Sequence, residues 1–246
     1  MSDMKNKVAI VTGASRGIGA AIAERLSHDG FTIIVNYAGN AALADAVVNK
    51  IEASGGIARA AQADVADPAA VKRMFDAAED AFGGVDVLVN NAGIMTLSPL
   101  ATTKDVDFDK LVSVNVKGTF NTMREAGKRL RDNGRIINFS TTVVGLKLEN
   151  YGVYAATKAA VETLTAIMTK EMRGRNISVN AIAPGPTATD LFLDGKSEEL
   201  VARMAKMSPL ERLGTPEDIA GVVAFLAGPD GAWVNGQILR ANGGII

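Results

Sequence analysis

Short apolar, β-branched runs alternate along this chain with longer stretches whose apolar positions recur at helical spacing. Residues 8–12, 32–36, 58–63, 85–89, 135–139, 177–182 and 237–239 read as strands. Helices are expected over residues 17–29, 41–53 and 68–82, in the long stretches before the fifth and sixth strands, and from 216 to near Gly228. Asp67-Pro68 has the form of an N-cap followed by proline at the first helical position. Thr215-Pro216-Glu217-Asp218 has the form of a capping box. The strand runs are apolar throughout, as a sheet covered on both faces requires. Repeated β-α-β units then imply an α/β fold with parallel strands and right-handed crossovers. No linker, repeat or low-complexity segment divides the 246 residues, so one domain spanning 1–246 is expected. The irregular stretch 184–195 reads as an active-site loop. Within it begins a specificity loop and lid, 187–208.

Bulk properties narrow the function. Hydrophobic residues make up 48% of the chain and charged residues 22%, so a folded protein is expected. The net charge of −1 favours neither nucleic acid nor an anionic membrane as partner. The absence of cysteine removes disulfides, thiol nucleophiles and Cys-type zinc sites, and the lone His28 cannot form a metal cluster. No apolar run approaches the ~18 residues that span a bilayer. The polar start at residues 1–7 carries no leader pattern, so a cytoplasmic location is expected.

The first strand runs into Thr12-Gly13-Ala14-Ser15-Arg16-Gly17-Ile18-Gly19. A glycine-rich strand-to-helix turn gathers free N–H groups at a helix N-terminus, which suits a pyrophosphate. Gly13 permits the turn, Gly17 admits close backbone approach, and Gly19 lets the helix pack against the sheet. The second strand ends Asn36-Tyr37-Ala38, with no acid to hold a ribose 2′-hydroxyl or to repel a 2′-phosphate. Arg16 can meet that phosphate, so NADP(H) is preferred over NAD.

Tyr154 and Lys158 stand four apart at the start of a helical run, on one face. A free tyrosine has a pKa of ~10, and a nearby ammonium favours the phenolate. Such a pair can protonate an alkoxide or deprotonate an alcohol. Asn90-Asn91-Ala92-Gly93 follows the fourth strand. Asn115 sits in an apolar stretch and must find hydrogen-bond partners if buried. Ser140-Thr141-Thr142 closes the fifth strand, and Pro184-Gly185 follows the sixth.

In this order, these motifs resemble the short-chain dehydrogenase/reductase family over the whole chain. The likeness extends to Asn235-Gly236-Gln237 and Asn242-Gly243-Gly244 and is strongest to 3-oxoacyl-carrier-protein reductases and related ketoreductases. The resemblance implies a Rossmann-like, doubly wound, three-layer α/β/α fold with seven parallel strands, and a homotetramer. It also implies a small-molecule or acyl-thioester carbonyl substrate. Tyr154 would donate the proton, Lys158 would lower its pKa and hold the nicotinamide ribose, and Asn115 would hold a relay water. Asp64 and Val65 would frame the adenine, with Asn90, Asn91, Ala92 and Gly93 along the cofactor. Ile182, Pro184, Gly185, Thr187 and Thr189 would line the nicotinamide side. The family's carbonyl-holding serine has no direct equivalent. Thr142, twelve before Tyr154, takes that role by its place before Val143-Val144-Gly145. Thr141, thirteen before, and Ser140 remain alternatives.

Two competing classes are an NAD-dependent alcohol or sugar dehydrogenase, which calls for an acid after the second strand, and a non-catalytic nucleotide sensor, which calls for loss of Tyr154 or Lys158. Outside the motifs, His28 reads as a helix C-terminal residue. Met168 and Met172 read as packing, while Met204 and Met207 can line a substrate lid. Trp233 reads as core or subunit contact. Lys128, Arg129 and Arg131 read as a solvated helix end rather than a dock for an acidic carrier.

Overall fold

Val8, Ala9, Ile10 and Val11 project alternately to opposite sides of a strand, and all four are buried, which requires a layer of helices on each side. The computed structural model describes residues 7–246 and meets that requirement. The polar start at residues 1–6 lies outside the described residues. The strands are β1 (Val8–Val11), β2 (Thr32–Tyr37), β3 (Ile57–Gln62), β4 (Val85–Asn90), β5 (Leu130–Phe139), β6 (Ser178–Pro184) and β7 (Ile238–Ala241). They form one sheet in the order β3-β2-β1-β4-β5-β6-β7, parallel throughout. This is the expected Rossmann-like arrangement, and the order reverses between β1 and β4, where ligands of such sheets bind.

The helices are α1 (Gly17–His28), α2 (Ala41–Ala53), α3 (Pro68–Phe82), α4 (Asp105–Leu111), α5 (Thr119–Arg129), α6 (Val143–Leu146), α7 (Gly152–Glu171), α8 (Asp190–Leu193), α9 (Glu198–Ala205) and α10 (Pro216–Ala227). One apolar layer joins Ile33, Val35, Val87 and Val89 to Ile22, Leu26, Val47 and Val223 on α1, α2 and α10. The other joins Ile10, Ile34, Leu88 and Ile136 to Val71, Phe75, Met123 and Met168 on α3, α5 and α7. Neighbouring residues of one strand thus feed different layers.

Asp67 caps α3 through the Ala69 N–H at 2.8 Å with Pro68 at its first position, and Thr215 and Asp218 form the capping box of α10. Between α4 and α5 the backbone passes through a π-helical segment, Val112–Gly118, within one long helical run. The edge strands depart from the all-apolar expectation: β3 and β7 alternate exposed with more covered residues because each has one free edge and thinner cover.

Trp233 is 98% exposed, so the core alternative for it is wrong for this chain. Arg129 and Arg131 are not a solvated helix end. Arg129 meets Asp76 at 2.7 Å and Glu79 at 2.6 Å, with Glu125 beyond, and Arg131 meets Asp86 at 2.9 Å. His28 does end α1, solvent-exposed beside Asp29. Met168 and Met172 are buried packing residues.

Candidate active site

The glycine loop is fastened at both ends by buried polar groups. Asn36 Oδ1 accepts from the Gly13 N–H at 3.2 Å, while its amide donates to the carbonyls of Ala61 and Ala63 at 3.1 and 3.0 Å. The Thr12 hydroxyl donates to Val89 O and accepts from the Ala92 N–H, tying the loop to the end of β4. Asn91 adds amide bonds to the carbonyls of Thr12 and Gly13 at 2.9 and 3.1 Å. Gly13 and Gly17 adopt φ of 62° and 56°, which side chains disfavour. A Cβ on Gly19 would overlap the carbonyl oxygen of Gly13.

The loop fits a dinucleotide diphosphate on an observation of its own. The N–H groups of Ser15, Arg16, Gly17 and Ile18 find no acceptor among the described residues, at the start of a twelve-residue helix with no side-chain cap. Arg16 is exposed beside them, and the nearby end of β2 carries only Asn36, Tyr37 and Ala38. Thr189 packs across the loop, its Cγ2 3.5 Å from where a Gly17 Cβ would lie. Asp64 is exposed past β3, and Val65 is buried against Gly118.

Two residues expected to contact the cofactor have their side chains engaged within the protein. The Asn36 side chain is buried and fully engaged within the protein. Asn90 is buried too, donating to Asn138 Oδ1 at 2.8 Å, and Asn138 in turn donates to Thr165. Ile182 likewise belongs to the core rather than the cleft. In each case the side chain alternates into the sheet instead of toward the strand end.

Lys158 and Tyr154 project from α7 toward the ends of β4 and β5. The Lys158 ammonium is 4% exposed and donates to the Phe139 carbonyl at 2.9 Å. Burial pushes its pKa down to about 8. It lies 6.0 Å from the centre of the Tyr154 ring. Burial pushes the Tyr154 phenol up to about 12, polar contact with the Thr141 side chain pulls it back, and Tyr151 raises it further. Burial sets the direction for Tyr154, and the Lys158 ammonium, which donates to the Phe139 carbonyl, does not supply the expected lowering in this arrangement. Tyr151 meets Tyr154 edge to face, ring centres 6.4 Å apart.

Asn115 lies in the π-helical segment, fully buried. It accepts from the Ile94 N–H at 2.9 Å and donates to Ile94 O at 3.0 Å and the Thr157 hydroxyl at 3.1 Å. Both amide hydrogens are engaged, so a relay water here would bind through an oxygen. Its Oδ1 and Lys158 Nζ both border Gly93, 3.3 and 3.4 Å from where a Cβ would sit.

The three hydroxyls after β5 separate clearly. Ser140 donates to Glu162 at 2.6 Å, and Thr142 donates to the Ala183 carbonyl at 3.1 Å. Thr141 is the one in polar contact with Tyr154. Thr142, the first choice from the sequence, has its hydroxyl turned into the sheet. A cleft beside Tyr154 is lined by Pro184, Gly185, Thr187 and Thr189 and by Leu191, Phe192, Met204 and Met207.

Three groups here escaped the sequence reading. Tyr151 stands three residues before Tyr154, a helical spacing that signals proximity. Thr157 and Asn138 are polar residues in mostly apolar surroundings, the same signal that marked Asn115.

A family model described as enoyl-(acyl carrier protein) reductase matches residues 13–246. The chain belongs to the short-chain dehydrogenase/reductase family. It is 46% identical to an NADPH-dependent aldehyde reductase-like chloroplastic protein of Arabidopsis thaliana, over 99% of this chain and 95% of the other. It is 39% identical to a versicolorin reductase of Emericella nidulans, over 98% and 96%. A short-chain dehydrogenase of Burkholderia cenocepacia, solved in complex with NADP, superposes with a TM-score of 0.93 at 38% identity, covering 98% of each chain.

Proposed function

We propose that this member of the short-chain dehydrogenase/reductase family is an NADPH-dependent carbonyl reductase with Tyr154 as proton donor. The observation that carries the proposal is a half-buried phenol lining a cleft, beside a buried lysine and a glycine loop with unpaired N–H groups. When bound, the cofactor supplies a hydride to the carbonyl carbon.

The chain's own groups do the rest. Ser15, Arg16, Gly17 and Ile18 offer N–H groups to the diphosphate. Arg16, with no acid at the end of β2, favours the 2′-phosphate. Tyr37, Ala38, Asp64 and Val65 lie where the adenosine half would rest, and Asn91, Ala92 and Gly93 border the middle. Thr141 polarises the substrate oxygen in place of Thr142. Tyr154 hands its phenolic proton to that oxygen as negative charge develops there. Lys158, beside Gly93, holds the ribose and stabilises the phenolate left behind. Asn115 acts by position, joining the loop after β4 to α7. The segment 187–208 closes over the substrate as a lid. Among the described residues no helix is long and apolar enough to cross a membrane.

The test is NADPH and NADH consumption against an acetoacetyl thioester, a β-keto ester, an aryl ketone, an aldehyde and a sugar ketone. Turnover with NADPH on a carbonyl supports the proposal. Tight NADPH binding with no turnover on any member of the panel counts against it.

A further inference from the structure

The substrate cleft is poor in charge. Lys158 apart, its polar lining consists of hydroxyls, phenols and one amide. The remainder is built from Met95, Val143, Leu148, Phe192, Met204 and Met207. The ionisable side chains lining it are Tyr151, Tyr154 and Lys158 alone. Lys158 lies at the catalytic end with its ammonium on the Phe139 carbonyl. Lys196, on the segment that carries Leu191 and Phe192, donates to the Phe192 carbonyl and stacks on that ring at 4.7 Å. Among the side chains that line the cleft, none is therefore a cation free to receive an anion.

We infer that the substrate is an uncharged, apolar carbonyl compound free in solution, not a carboxylate-bearing or carrier-held one. The inference rests on the reductase reading and narrows it. A carboxylate or phosphate drawn into this cleft loses its water and gains no partner, so it is excluded by desolvation. A flat apolar body suits the walls: Phe192 and Tyr151 offer ring faces and edges, and thioethers conform to irregular shapes. Met204 and Met207 stand on mobile-length unbranched side chains at the lid, which admits a range of sizes. The surface argues the same way against an acidic carrier. Arg129 is occupied by Asp76, Glu79 and Glu125, and Arg131 by Asp86, so this basic run offers no free guanidinium pair.

The decisive comparison is methyl 4-formylbenzoate against 4-formylbenzoate, two aldehydes of one skeleton that differ in a remote charge. Rates are corrected for each aldehyde's intrinsic reactivity toward borohydride, and acetoacetyl-carrier protein serves as a third probe. The ester should exceed the acid in kcat/KM by about a hundredfold or more, with the carrier-held substrate no better than the acid. Equal kcat/KM for ester and acid, or preference for the carrier-held substrate, would overturn the inference while leaving the reductase reading intact. Turnover of none of the three, with NADPH still bound, would instead remove the reductase reading beneath it. Leu148→Arg places a cation on the cleft wall and should narrow the ester-to-acid gap. An unchanged gap in a variant that still reduces the ester would also overturn the inference.

Discussion

Replacing Lys158 with methionine removes a buried titrating group while keeping a side chain of similar reach, and its effect on stability should depend on pH in a defined direction. Burial lowers the ammonium from 10.5 to about 8. That lowering corresponds to roughly 3 kcal/mol of differential interaction. Lys158 is only 4% exposed, so solvent screening takes little from that figure. Below pH ~8 the group is charged in both folded and unfolded chains, and the folded state carries the whole penalty. Between pH ~8 and ~10.5 the unfolded chain binds the extra proton, so stability rises with pH as the penalty is relieved. At pH 10 most of it has gone. Urea unfolding at pH 7 and pH 10, with Tyr154→Phe as the background of both the Lys158 and the Lys158→Met protein, isolates this group, since the neighbouring phenol no longer titrates in either. The protein that keeps Lys158 should gain roughly 2–3 kcal/mol on the variant between the two conditions. A difference in stability that stays the same at both pH values would refute the reasoning and return Lys158 to an ordinary lysine.

Thr141→Val should lower kcat by about a hundredfold or more through loss of a donor to the developing oxyanion. Thr142→Val should leave kcat near wild type and cost ~1–3 kcal/mol of stability by stranding the Ala183 carbonyl; urea melts and steady-state kinetics on both variants separate the two, and the reverse pattern would restore Thr142 to the substrate. Arg16→Glu should raise KM for NADPH roughly tenfold or more with little change for NADH. Equal changes for both cofactors would take Arg16 out of the 2′-phosphate site.

Much of the architecture could be read from residue patterns because its causes are local. The bounds of α2 and α3 follow from Asn40 and Asp67 as caps and from a proline at the first position of α3. Apolar strands such as Thr32–Tyr37 announce burial on both faces. The edges β3 and β7 were harder, because strand order is a property of the assembled sheet. Distinguishing ligand-facing from sheet-facing polar residues was harder still. Asn36, Asn90 and Asn91 all stand at strand ends, yet only Asn91 reaches the cleft, and a shift of one residue reverses a side chain's direction. The Tyr154–Lys158 spacing shows that the two groups are neighbours. It cannot show that the Lys158 ammonium is taken up by the Phe139 carbonyl, because that partner stands on β5. The choice among Ser140, Thr141 and Thr142 depends on which hydroxyl Glu162 and Ala183 already occupy, and those partners come from α7 and β6.

The central claim is that Tyr154 delivers the proton during carbonyl reduction. Tyr154→Phe tests it most directly, with NADPH affinity measured by fluorescence titration and turnover measured on the best aldehyde or ketone found for wild type. NADPH affinity close to wild type with nearly all turnover lost is the predicted result. A variant that retains wild-type turnover would contradict the mechanism.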